Sequence, residues 1–331
     1  MAEWNMHWDS EEWRPDAEAW VDLACAAYSL QRTGPLQPAG IGFRAAHFTA
    51  ATDHGLIFLK ALSPGQVAEA SITAAAATVL PDRLVMPLAI EPERGWMLSP
   101  DYGTTFDRVE VTDEIWERLL AELALLQIGL LDSGELLFDA GIQHLDPQWL
   151  ADDLENQLML HASLPPGHPL GIPANDAEAL LRESTGFRRA CELLAAGPVP
   201  LSLDHGSFDR SRAFLPGSGD AMLRILNLGD ASWGHPFASL AHPLQRLATG
   251  WNTDADDPRI MRVIGAYLGQ WADFGTPDEL YPLLEAALVV EPLHRHATWM
   301  RLLADAPESD LLRFAPMALE PLSKLAGGAF G

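Results

Sequence analysis

The chain has 331 residues, 48% of them hydrophobic and 20% charged, enough for one large domain or two lobes with separate cores. Its formal net charge of −25 argues against nucleic acid or an anionic membrane surface as partner, and is compatible with a cationic ligand, a basic protein or plain solubility. Two cysteines far apart, Cys25 and Cys191, point to free thiols in a reducing cytoplasm, and the acidic start MAEWNMHWDSEEW has no secretory pattern.

Residues 11–32 carry Trp13, Ala17, Trp20, Leu23, Ala24 and Ala27 at helical spacing, with Gly34-Pro35 as the stop. The stretch 41–62 reads as two or three strands turning at Asp53-His54-Gly55. An Ala-rich helix follows over 63–80. A strand pair over 85–103 turns at Pro92–Gly95. From 111 onward amphipathic helices dominate, over 111–131, 147–163, 175–195, 257–273, 277–290 and 293–305. The most apolar of these, around 116–131, is interrupted by Glu117, Arg118 and Glu122 and cannot span a bilayer. Short strands interrupt the helices over 199–230. No internal repeat is present, and the boundary between the two halves falls near 102–111, as a hinge.

Two segments carry the chemistry: LDHGSFDRSRAF (203–214) and ILNLGDASWGHPFASL (225–240). Together with RTGP (32–35), LIFLK (56–60), RGWMLSPDYG (94–103) and LHRHATW (293–299), all in order, they make the chain resemble the actinobacterial aminoglycoside phosphotransferase-like family. The resemblance covers nearly the whole chain. It implies an α+β, bilobal protein-kinase-like fold: an N-terminal lobe over 1–102, with a leading helix, an antiparallel sheet and one crossing helix, and a helical C-terminal lobe over 103–331.

The same resemblance assigns roles. Lys60 ends an apolar strand and matches the lysine that holds the α/β-phosphates of ATP, and Glu69 in the next helix is placed to pair with it. Ser99 to Tyr102, including Asp101, match the hinge that borders an adenine. Gly40-Ile41-Gly42 is a candidate phosphate-covering turn. His205 lies in the catalytic-loop frame.

Three positions depart from the pattern. Ser207 stands where the catalytic Asp belongs, Arg212 where a metal-binding Asn belongs, and Asn227 where the metal-binding Asp belongs. A serine hydroxyl is too weak a base near neutrality, and losing a general base costs about 10²–10⁴ in rate, or roughly 3–5 kcal/mol of barrier. A guanidinium cannot ligate Mg²⁺, and an amide offers one neutral oxygen. Asp209 and Asp230 are the nearby acids that could substitute. Arg212 could itself hold a phosphate, a carboxylate or an acidic peptide, or pair internally with Asp204 or Asp209.

The expected protein is therefore a phosphotransferase-like pseudokinase in the cytoplasm, its cleft reused to bind a small molecule, a peptide or a partner protein, with a place in natural-product chemistry. ATP is the one cofactor left open, and no Mg²⁺ is expected. A repurposed elimination or cyclisation enzyme and an active O-phosphotransferase with an unusual site are the alternatives. Elsewhere, His294 and His296 face different sides of a helix and do not share a metal. The 11 tryptophans read as packing residues, and NTDADDPR (252–259) reads as a solvated helix start.

Overall fold

The computed structural model describes residues 7–8, 10–110, 112–216 and 222–325. Val111, at the end of the expected hinge, and the first residues of the chain lie outside them. The leading helix α1 (Trp13–Ala27) buries Trp13, Ala17, Val21, Ala24 and Cys25, one face of a 3.6-residue period. It covers the back of a five-stranded antiparallel sheet ordered β1-β2-β3-β5-β4. The strands are β1 (Gln37–Ile41), β2 (Ala45–Thr52), β3 (Gly55–Leu62), β4 (Ala89–Glu91) and β5 (Trp96–Pro100). Phe48, Ile57, Leu59, Trp96 and Leu98 meet the helix there. The opposite face, towards the helical half, presents His47 opposite Lys60 and Lys60 opposite Met97.

The turns fall where the sequence puts them. Asp53-His54 closes the β2–β3 hairpin, and Gly95 takes a left-handed φ of 64° before β5. Strand β1, however, starts earlier than expected. The sequence reading begins the strands at 41 and puts Gly40 in a turn, but β1 is an exposed edge strand with a bulge between Pro38 and Gly40, where the missing N–H of Pro38 costs little.

Helix α2 (Glu69–Val79) joins the halves. Ala70 packs on Ala45, Leu62 and Met97 of the sheet side, while Ile72, Ala76 and Ala77 enter the large core of the helical half. Small side chains let the helix approach both. The helical half holds α3 (Asp113–Gly129), α4 (Gly134–Asp139), α5 (Pro147–Ser163), α6 (Ala174–Glu183), α7 (Thr185–Ala196), α8 (Ala241–Trp251), α9 (Pro258–Leu268), α10 (Pro277–Leu303) and α11 (Glu308–Lys324).

Two expectations about helices are corrected, and one unexpected helix is added. The stretch 175–195 is two helices, because the Ser184 hydroxyl bonds back to the Leu181 carbonyl and ends the first. Conversely, 277–290 and 293–305 are one helix that runs through Pro292. Leu284, Ala287, Val290 and Leu293 are buried on both sides of that proline, and the packing offsets the lost hydrogen bond. Helix α11, unread because Pro316 and Pro321 interrupt its sequence, is held by buried Ala315, Ala318 and Leu322.

Two small pairings set the site. A three-stranded sheet joins β6 (Gln143–Leu145), β10 (Ser232–Gly234) and β7 (Ser202–Asp204), and a two-stranded ribbon joins β8 (Ala213–Phe214) to β9 (Arg224–Ile225). No helix of the described residues is long and apolar enough to cross a membrane.

Candidate functional site

A cleft of about 790 Å³ lies between the sheet and the helical half. Its roof is the β1–β2 turn, including the predicted Gly40-Ile41-Gly42, together with His47 and Lys60. Its floor carries Ser207, Arg212, Asn227 and Asp230, and its outer wall is His242, Arg295, Trp299 and Phe314.

Lys60 and Glu69 meet as the sequence suggests. Lys60 Nζ donates to Glu69 Oε1 at 2.5 Å and Oε2 at 2.7 Å, and the Glu69 side chain is fully buried. Asn227 Oδ1 accepts a third bond from Lys60 Nζ at 2.7 Å. An ammonium has three N–H donors, so all of them have acceptors. Asn227 sits at φ 69°, a left-handed conformation that asparagine tolerates. Gly229 is needed beside it, because a Cβ there would lie 2.5 Å from Glu69 Oε2 and 2.7 Å from Gln66 Oε1.

The β8–β9 ribbon brings Arg212 and Asn227 together, with the Leu226 N–H donating to the Arg212 carbonyl at 3.1 Å. Arg212 has no ion-pair partner among the described residues, and its buried Nε has no hydrogen-bond acceptor. The internal pairings expected as alternatives are not formed. Asp204 is used by Gly206 N, Ser239 Oγ and His294 Nδ1, at 3.0, 2.8 and 2.9 Å. Asp209 caps its own turn, accepting from Ser211 N and Oγ, and lies 3.6 Å from His242. Burial works to raise the Asp209 carboxyl, but His242, Ser211 and Arg212 outweigh it and hold the group well below the usual range.

Asp230 faces the cleft but is engaged. Arg44 from the β1–β2 turn forms an ion pair with it, and Gln66 Nε2 donates to Oδ1 at 3.0 Å. Burial pushes its pKa up, while the charge and hydrogen bond of Arg44 more than offset this and leave it lowered. Ser207 lies beside that carboxyl and helps to lower it, but its buried hydroxyl is not aligned for a regular hydrogen bond. Gly206, at φ 71°, can only be glycine, since a Cβ would lie 2.4 Å from the Asp230 carbonyl oxygen.

His205 is fully buried and contacts the Leu226 carbonyl through Nε2 at 3.1 Å. Burial and then the Arg212 charge push its pKa down to about 4, so it is neutral near pH 7. His47, open to the cleft but surrounded by protein atoms, is likewise pushed down to about 4, by desolvation first and then by Lys60 and Arg212. Ser99 and Asp101 do not line this cleft. Ser99 is buried in β5, and the Asp101 carboxylate accepts from Gly103 N at 2.8 Å.

Sequence reasoning found part of the roof, Gly40–Gly42 and Lys60, but missed how the roof is fastened and missed the outer wall. Phe43 stacks on Phe314 at 4.2 Å between centroids and on Trp299 at 6.5 Å, and the Arg44 guanidinium lies 5.0 Å from the Trp299 ring centre. The turn over the cleft is thus fastened to α10 and α11. Trp299, expected only to pack, also lines the cleft. Arg295, between the two noted histidines, points into the cleft and pairs with Glu291 at 2.7 Å. The loop is further braced by Gln127, whose Nε2 donates to Leu203 O and Pro236 O and lies 3.0 Å from Ser239 Oγ. NTDADDPR behaves as read, with Asp257 capping α9 through Arg259 N.

The site does not fit Mg²⁺. Arg212 is a cation, the Asn227 amide oxygen is taken by Lys60, and Oδ1 of Asp230 is taken by Arg44 and Gln66. The described residues contain no group of three or more His, Cys, Asp or Glu placed to hold a metal. The lining residues carry four permanent or near-permanent cations, Arg44, Lys60, Arg212 and Arg295, against one carboxylate, Asp230. In a chain of net charge −25 this is a local reversal of sign.

The chain has the protein-kinase-like fold of small-molecule phosphotransferases. It is similar to macrolide 2'-phosphotransferase MphH from Brachybacterium faecium at 17% identity and a TM-score of 0.57, covering 93% of this chain and 98% of that one. It is also similar to a choline/ethanolamine kinase family protein from Mesorhizobium loti (19% identity, TM-score 0.52, 95% and 99% covered) and to a Plasmodium vivax ethanolamine kinase (13%, 0.56, 89% and 83%). No protein-family model matches the sequence. No curated protein is similar to it in sequence.

Proposed function

We propose that the cleft binds an anionic, phosphate-bearing ligand without a metal ion and does not transfer the phosphoryl group. The observation that carries this reading is Arg212: a guanidinium at the metal position, lining the cleft with no ion-pair partner among the described residues. An unpaired guanidinium in a partly desolvated cleft matches phosphate or carboxylate oxygens bidentately. Lys60 adds positive field but no free donor, since Glu69 and Asn227 already accept from it. Transfer would need a base and charge neutralisation by a metal. Ser207 is no base, and Asp230 is engaged with Arg44. An amine substrate such as ethanolamine, named for one of the similar kinases, is disfavoured by Arg212 on the floor and Arg295 on the wall.

The test is calorimetric titration with tripolyphosphate and with ADP, in EDTA and in Mg²⁺. Binding is expected in EDTA, and Arg212→Ala should weaken it by about 10- to 150-fold, the equivalent of one charge-assisted interaction of about 1.5–3 kcal/mol. Binding that requires Mg²⁺, or metal-dependent ATP consumption that stops on Lys60→Ala, would overturn the reading.

A further inference from the structure

Away from the cleft, two fully buried histidines meet. His161 of α5 and His296 of α10 have their Nε2 atoms 3.3 Å apart. Each ring's other nitrogen is committed: His161 Nδ1 to the Leu170 carbonyl at 2.8 Å, His296 Nδ1 to the Ala318 carbonyl at 2.7 Å. A carbonyl only accepts, so each Nδ1 carries the proton. Both Nε2 atoms of the neutral rings are then bare lone pairs facing each other. Three contacts need three hydrogens, and two neutral imidazoles supply two. The pair is short of one positive species.

We propose that this species is a divalent transition-metal ion of the zinc type, held by His161 Nε2, His296 Nε2 and the amide oxygen of Gln157. A tetrahedral ion about 2.0–2.1 Å from each nitrogen sets them about 3.3–3.4 Å apart, which is the separation seen here. The ring centroids are 5.1 Å apart at an interplanar angle of 76°. That is shorter than the nitrogen separation plus a ring radius at each end, so the rings do not meet head-on as a straight N–H···N bond requires. Gln157 Oε1 lies 3.4 Å from His296 Nε2, again a ligand-to-ligand distance. Gln157 and His161 are four residues apart on one helix and share a face. It is partly exposed, which gives an entry path and a place for a water ligand.

The Nδ1–H to carbonyl bonds are the outer contacts that fix metal-binding imidazoles. An extra proton is the weaker solution, because the rings do not meet head-on and an N–H shared between them would point off the line joining the two nitrogens. An amide turned to donate would satisfy His296 and leave the His161 lone pair unmatched. The ion would tie α5, α10 and α11 together, behind the Arg295 and Trp299 wall of the cleft.

The test uses the full chain without a histidine tag, titrated with Co²⁺ and followed by its visible spectrum, with melting temperature read in Zn²⁺ and in EDTA. A tetrahedral-type Co²⁺ band and a Zn²⁺-dependent rise in melting temperature are expected. His296→Gln should abolish both. Gln157→His, which keeps both histidines, should tighten Co²⁺ binding by about tenfold or more, an imidazole replacing an amide. No band from either the wild type or Gln157→His would overturn the proposal, whatever the folding of the His296 variant. So would a ring N–H proton bridging the pair in metal-free protein at neutral pH.

Discussion

Phe43→Ala should unfasten the roof of the cleft. The ring stacks on Phe314 at 4.2 Å and 28°, and on Trp299 at 6.5 Å and 18°. Two aromatic pairs are worth about 1–3 kcal/mol beyond area burial, and losing a half-buried phenyl adds about 1 kcal/mol. The total, about 2–4 kcal/mol, falls on local opening of the turn, so the open population should rise about 30- to 800-fold. Two amides report it directly. Gly42 N–H donates to Ala45 O at 2.9 Å, and Ser63 N–H donates to Arg44 O at 2.9 Å. Hydrogen exchange at both should accelerate by more than an order of magnitude. Amides of β3, paired on both sides by β2 and β5, should change little. The control is Phe58→Ala, an exposed β3 phenylalanine outside the stack. Unchanged exchange at Gly42 and Ser63, or the same acceleration in the control, would refute the idea that the stack holds the turn.

Other outcomes follow from the same contacts. Glu69→Ala leaves the buried Lys60 ammonium without its carboxylate and should cost about 3–5 kcal/mol in urea unfolding. Gly229→Ala forces Glu69 and Gln66 aside and should destabilise the fold, without adding any charge to the cleft. His47 should be neutral at pH 6 by NMR titration, and Arg212→Ala should raise its pKa, because one of the charges that hold it down is gone. Asp230 is depressed in the folded protein, so its contribution is present above its unfolded pKa. That contribution is lost as pH falls through the folded value, and Arg44→Ala should reduce this acid-side loss. A double variant, Arg212→Asn with Asn227→Asp, should make nucleotide binding depend on Mg²⁺ in calorimetry.

The sheet and the crossing helix were legible because they rest on local signals: an apolar run in β3, an Ala-rich helix and a hairpin turn at Asp53-His54-Gly55. The Lys60–Glu69 pair came from the family resemblance, which placed the two residues on that strand and the helix after it. Arg44 and Phe43 gave no such signal. Their partners, Asp230, Trp299 and Phe314, lie nearly two hundred or more residues away, and only the folded chain brings them together. The Lys60–Asn227 bond was hidden for the same reason. Acidic composition left open a cationic ligand, a basic protein or plain solubility, yet the charges facing the cleft are mostly basic, since a sum over the chain carries no information about one surface. The histidines at 294 and 296 were rightly separated, but His161, the partner of His296, sits on another helix with no motif to mark it.

The central claim is that Arg212 replaces a metal ion in holding an anion. A crystal structure of the protein with tripolyphosphate, grown in Mg²⁺, tests it most directly. The account predicts phosphate oxygens in hydrogen-bonding contact with the Arg212 guanidinium, Asp230 still paired with Arg44, and no ion between phosphate and protein. Phosphate bound through Mg²⁺ to Asp230 or Asn227, with Arg212 turned away, would contradict it.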